Sequence, residues 1–161
     1  MVMSARQDFG RITPFNSSLE VGMRVAIILN SFHPRRLSLL ELALYDYFVI
    51  HTADADGPPS IHPSIPSRHG EYFVRRGRIE AGLALMRNAH MVHYHSESNG
   101  VAYEASEKAG ALIDILMSPY NRKLKECADW LAQEAFQSDL FQARLTALIG
   151  GWSVQLGKDL S

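Results

Sequence analysis

The sequence holds a single cysteine, Cys127, among 161 residues. An intramolecular disulfide framework is therefore impossible, and a zinc site built on several thiolates is excluded. Cysteine this scarce points to a reducing compartment. No hydrophobic run approaches the roughly 20 residues that cross a bilayer, and the opening stretch "MVMSARQDFGRITPF" lacks the apolar centre of a signal peptide. The expected location is the cytoplasm, with no membrane contact. Neither sign of charge is in excess: 16 Lys and Arg stand against 17 Asp and Glu, for a net charge of −1. A free-standing DNA-binding domain usually carries a basic excess, because phosphate neutralisation supplies much of its affinity. Any nucleic-acid role here must be local or shared with a partner. The chain also lacks a phosphate-cradling G-x-x-x-x-G-K loop, a G-x-S-x-G nucleophile elbow and an H-E-x-x-H metal motif. The expectation is a protein without catalytic residues or a cofactor of its own.

An apolar fraction of 47% and a charged fraction of 20% describe a globular chain. Its length suits one domain with a proper core. Residues 1–15 lack periodicity and read as an arm, with a single domain over 16–161. In "NSSLEVGMRVAIILNSF", Ser17 and Glu20 fit a capping box, and Val21, Val25, Ile28 and Phe32 recur at helical spacing. Helix 1 is placed at about residues 17–32, ended by Pro34. Ser38 and Glu41 repeat the grammar for helix 2, from 39 to about 51. That helix is apolar almost all round, as a central core helix should be. Asp46 and His51 are the exceptions in it, expected near the surface or bonded to neighbouring backbone. "TADADGPPSIHPSIPSRHG" carries four prolines, so neither helix nor central strand is expected there. A long loop of this kind, over 53–70, is usually functional or clamped by a partner. Helical spacing resumes from Gly70, with Ile79, Leu83 and Met86 as the inner stripe of helix 3 and with Gly82 read as a point of close backbone approach. Gly77 and Gly82 each weaken an isolated helix by about 1 kcal/mol relative to alanine.

The stretch "HMVHYHSESNGVAYE" places three histidines in six residues and then an Asn-Gly pair. Two short alternating runs around Ser-Asn-Gly read as a β-hairpin. Ser106 then caps helix 4, Ser118-Pro119 opens helix 5, and Ser138 caps a last helix with the stripe Phe141, Leu145, Leu148 and Trp152. Helix, helix, helix, hairpin is the order of a winged helix. The expected fold is therefore mainly α with a small β-hairpin: a winged-helix-like core with additional C-terminal helices.

Two constellations could carry chemistry. On a strand, His93 and His95 share a face about 7 Å apart, and His90 or Glu97 could complete a metal site. No second metal motif supports this, and a hairpin that merely contains histidine is the preferred reading. Arg68, Arg75, Arg76, Arg78 and Arg87 give residues 68–87 a net charge of +3 and leave −4 on the remainder. DNA contacts of a winged helix fall on its third helix. Arginine forks pair equally well with carboxylates, and partner contact or intramolecular pairing is preferred to direct DNA contact. Cys127, on an amphipathic helix, reads as an inert small hydrophobe. Trp130 and Trp152 are read as core, with Trp152 also a candidate contact, since tryptophan is enriched at binding hot spots.

Four segments together carry a likeness: "PFNSSLEVGMR", "YDYFVIHT", "SIHPSIPSRHGEYFVRR" and "SPY". Through them the chain resembles the small middle component of bacterial ABC-three-component conflict systems, the group that includes the Lamassu anti-phage and anti-plasmid systems. The likeness spans about residues 14–152, and the "HPSIPSR…GE…VRR" block is its most specific part. It implies a non-catalytic accessory subunit that binds an SMC-like ABC ATPase and couples it to an effector, often a nuclease, with DNA met only through the complex. It makes Asp46, His51, His62, Pro63, Arg68, Glu71, Arg75 and Arg76 candidates for fold maintenance or subunit contact. His69 departs from the likeness, standing where a small residue is expected before the glycine. The rival reading is a winged-helix regulator acting on DNA as a homodimer. A weaker third is a metalloenzyme using His90, His93 and His95.

Overall fold

The computed structural model describes residues 17–62 and 68–159, with side chains over 17–62 and 74–151. The segment 63–67 and the expected arm at 1–15 lie outside the described residues, as do the side chains of Arg68, Glu71 and Trp152. The elements run α1 (Ser18–Phe32), β1 (Leu37–Ser38), α2 (Leu39–Ile50), a 3-10 turn (Thr52–Ala55), α3 (Arg68–Asn88), β2 (Val92–Glu97), β3 (Gly100–Ala105), α4 (Glu107–Ile115), α5 (Pro119–Gln137) and α6 (Leu140–Asp159). The chain is thus mainly helical with one small antiparallel sheet, as expected.

Local chemistry sets the helix starts. Ser17 Oγ accepts from Glu20 N at 3.2 Å. At α2 the capping box is complete: Ser38 Oγ accepts from Glu41 N at 3.2 Å, and Glu41 Oε1 from Ser38 N at 3.1 Å. Ser118 Oγ accepts from Asn121 N at 3.1 Å, with Pro119 at the first helical position, where no amide is needed. Ser106 stands at the N-terminus of α4, but its hydroxyl donates to His90 O at 2.7 Å and does not cap the helix. It ties the end of the hairpin to its beginning.

α2 is the central helix: every residue from Leu42 to Ile50 is buried. α1, α3 and α5 pack around it, presenting Val25, Ile28 and Phe32, then Ile79, Leu83 and Met86, then Leu124, Ala128 and Leu131. α1 and α3 cross where Gly22 meets Gly82, so Gly82 does admit a backbone neighbour. The sheet has the order β1-β3-β2, with Leu37 opposite Tyr103 and His95 opposite Ala102. β1 is an addition to the expected hairpin; two residues are too few for a period to show in sequence. Arg36, beside β1, reaches Glu97 at 3.3 Å and Glu104 at 3.6 Å across the hairpin.

Three further expectations are corrected. A 3-10 turn opens the proline-rich segment, because Thr52–Ala55 precedes its prolines and is free to coil. α3 begins at Arg68, two residues before Gly70 and two after Pro66, the last proline of the segment. Asp46 and His51 are neither near the surface nor satisfied by local backbone alone; they are 0% and 2% exposed, and Asp46 lies where α1, α2 and α3 meet.

Candidate functional site

Asp46 is a charged residue in the middle of the most apolar helix. Burying an isolated carboxylate is prohibitively costly, so it must be paired. Arg24 of α1 donates from Nε to Oδ1 at 2.8 Å and from Nη2 to Oδ2 at 3.2 Å, the forked geometry that suits a carboxylate. Arg75 of α3 donates from Nη1 to Oδ2 at 2.5 Å. Both arginines are 3% exposed. Burial pushes the Asp46 carboxyl up, but the two guanidinium groups and their hydrogen bonds outweigh it and hold it below the ordinary range. Burial likewise works against the Arg24 charge, and the Asp46 carboxylate reverses the outcome and raises it. One carboxylate thus binds three helices together. With both oxygens engaged by cations, it is a poor proton acceptor.

A chain of rings extends this centre toward the surface. The Tyr47 ring lies 5.6 Å from the Arg75 guanidinium and 4.7 Å from the His51 ring, and its hydroxyl donates to Asp54 Oδ2 at 2.8 Å. His51 meets His62 edge-on at 6.2 Å. His62 Nε2 lies 2.9 Å from the hydroxyl of Tyr120, in the first turn of α5. Burial raises the Tyr120 hydroxyl above its ordinary range, with Arg24 and Asp46 contributing in opposite senses.

The loop between α2 and α3 is held along its described length. Thr52 Oγ1 donates to Pro58 O at 2.8 Å, and Ala53 N to Ser60 Oγ at 3.0 Å. His62 N donates to Ile50 O at 3.1 Å. The Trp130 indole of α5 lies directly on Gly57, where a β-carbon would come within 2.5 Å of its ring. Arg144 of α6 donates to Ala55 O at 3.0 Å. Over 52–62 the segment is clamped by the chain's own α5 and α6.

The candidate residues are thereby separated. Arg75 points inward to Asp46, and His62 is tied to Tyr120. Arg76 is exposed and Arg78 half-buried on α3. Arg87 lies with its guanidinium carbon 3.9 Å over the Tyr94 ring of β2. The backbones of Arg68 and Trp152 lie in α3 and α6. Of the histidines, His95 pairs with Glu104 at 2.5 Å, and no group of three or more His, Cys, Asp or Glu side chains is placed to hold a metal among the described residues. Cys127 is buried, and burial pushes its thiol up. Arg24, Tyr47 and Tyr120 were not singled out as site residues from sequence. Arg24 had a signal: a charged residue within the buried face of α1, matching the odd charge of Asp46 in α2.

No helix among the described residues is long and apolar enough to cross a membrane. No curated protein and no solved structure matches the chain. A family model does, over residues 14–151, and it spans the Asp46 centre, the clamped loop and the hairpin alike. The chain belongs to the family described as ABC-three component (ABC-3C) system Middle Component 2, and is a middle component of a system with other subunits.

Proposed function

We propose that this chain is a non-catalytic accessory subunit of a Lamassu-type defence complex in the cytoplasm. In that reading it binds an SMC-like ABC ATPase and an effector of nuclease type, bridging or regulating the two. DNA is met through the complex. The observation that carries the reading is the family match over 14–151. The geometry supports it: the most prominent polar constellation is spent on internal ties, with both Asp46 oxygens on arginine and His62 on Tyr120. Clamping of the loop 52–62 leaves a shaped surface of the kind a partner recognises without rearrangement. The test is co-expression of the tagged chain with the other components of its system. Recovery of a large coiled-coil ATPase and a nuclease-like chain in fixed proportion is expected, and recovery of the tagged chain alone overturns the reading.

A second reading, a winged-helix regulator acting as a homodimer, is favoured by the order helix, strand, helix, helix, hairpin and by Arg76 on the outer side of α3. It requires salt-sensitive DNA binding by the isolated chain that Arg76→Ala and Arg78→Ala weaken. Absence of retention on DNA at low salt removes it.

A further inference from the structure

β2 lies at the outside of the sheet order β1-β3-β2. Ser98 and Asn99 alone separate the paired residues Glu97 and Gly100, which makes that pair the hydrogen-bonded one. Hydrogen-bonded and non-hydrogen-bonded pairs alternate along an antiparallel ladder, so His95 and His93 also turn their backbone groups toward β3. The bond from Ser106 N to Met91 O, 2.8 Å, keeps the same phase. Val92, Tyr94 and Ser96 therefore aim their N–H and C=O groups away from the sheet. No hydrogen bond meets those outward groups among the described residues.

Beside this edge lies an open groove of about 430 Å³ between α3 and β2, lined by Ala84, Arg87, Asn88, Val92, His93 and Tyr94. Stacking on Tyr94 holds the Arg87 guanidinium at the groove. The carboxylates of the hairpin are engaged elsewhere: Glu97 by Arg36, and Glu104 by Arg36 and His95. Arg87 forms no ion pair among the described residues. An unpaired strand edge thus runs along a groove that holds an uncompensated cation.

We infer that the β2 edge accepts an extended, acidic segment of a partner component as a fourth strand, with a carboxylate of that segment on Arg87. The inference rests on the accessory-subunit reading and gives it a surface. Alternating N–H and C=O groups match a peptide backbone, whereas the outward carbonyls repel a phosphate chain. A second copy of β2 is a poor occupant: its one acid, Glu97, is already held by Arg36. An edge left bare also invites promiscuous pairing, which natural proteins avoid by covering it.

The experiment uses the tagged full chain co-expressed with the other components of its system, as wild type, Ser96→Pro and Arg87→Glu. Proline at Ser96 removes an outward N–H and leaves the β2–β3 ladder intact. Arg87→Glu reverses the groove charge on an exposed residue, so it serves where the proline variant melts early. Each variant alone should melt within about 2 °C of wild type, while its retention of an identified component falls about tenfold or more. Cross-linking from residue 94 should land on an acidic segment of that component, and a Lys there should restore binding to Arg87→Glu. Undiminished retention by both variants overturns the edge inference alone. So does a wild-type homodimer that Ser96→Pro disperses, since the occupant is then a second copy. A wild-type chain that retains no component overturns the accessory-subunit reading, and this inference with it.

Discussion

Gly22 of α1 and Gly82 of α3 meet backbone to backbone: a β-carbon built on Gly82 would stand 2.8 Å from the Gly22 nitrogen. The closeness of that crossing brings α3 near enough to α1 for Arg24 and Arg75 to reach one carboxylate between them. Helix packing and the ion cluster are therefore linked features.

Gly82→Ala should destabilise the fold by about 1–3 kcal/mol, because its methyl group meets main chain that has no side-chain freedom to yield. Gly77 on the same helix has nothing within 4 Å of its would-be β-carbon. Gly77→Ala should stabilise by roughly 0.5–1 kcal/mol through the lost flexibility of the unfolded chain. Urea unfolding midpoints of the two variants should move in opposite directions; a shared direction would contradict the crossing geometry.

Asp46→Ala should cost about 3–5 kcal/mol, since it leaves two buried guanidinium groups facing each other. The Asp46 carboxyl is held low in the folded state, so its contribution is present above the unfolded value of about 3.9 and is lost as pH falls through the folded one. Asp46→Asn removes this titration. Chemical denaturation from pH 6 down to about 2 should show an acid limb in wild type that is shallower in Asp46→Asn. Identical limbs would mean that other carboxylates carry the acid sensitivity.

Tyr45 should titrate late. It is fully buried, and burial raises its hydroxyl to about 12, with Arg35 opposing and Glu41 assisting. A raised folded value means the unfolded chain loses its proton first, at about 10. Stability should therefore decline as pH rises from there toward the folded value. Tyr45→Phe should flatten that decline, at the cost of the bond to Gln142 Oε1 at 3.2 Å. Phenolate absorbance against pH should show one late-titrating tyrosine fewer in the variant.

Gly57→Ala should displace the Trp130 ring, which a β-carbon there would approach to 2.5 Å. In a Trp152→Phe background, where Trp130 is the remaining tryptophan, the emission should shift to the red and proteolysis within the loop should accelerate. Unchanged emission and protection would show that the loop is held without the indole.

Much of the local architecture was readable in advance. Ser38 with Glu41, and Ser118 before Pro119, mark helix starts because each serine hydroxyl accepts from an amide three residues on, within one turn. The Asn-Gly signal located the hairpin for the same reason, although its turn proves to be Ser98–Asn99, with Gly100 at φ 119° inside β3. Ser106 shows the limit. Its position at a helix start was legible, but its hydroxyl is taken by His90 O, 16 residues away.

The sequence by itself determined the six helices found among the described residues, the apolar stripes of α1 and α3, and the family likeness that the match over 14–151 bears out. These follow from periodicity and from bonds between near neighbours. Only the tertiary structure decided that Asp46 belongs to Arg24 and Arg75, which lie 22 and 29 residues away. It also decided that Trp130 closes on Gly57, that Arg87 lies on Tyr94, and that Arg75 faces in while Arg76 faces out. A buried charge takes whichever opposite charge the packing of distant helices delivers to it. That delivery depends on how closely Gly22 and Gly82 let two backbones approach, which no local pattern records.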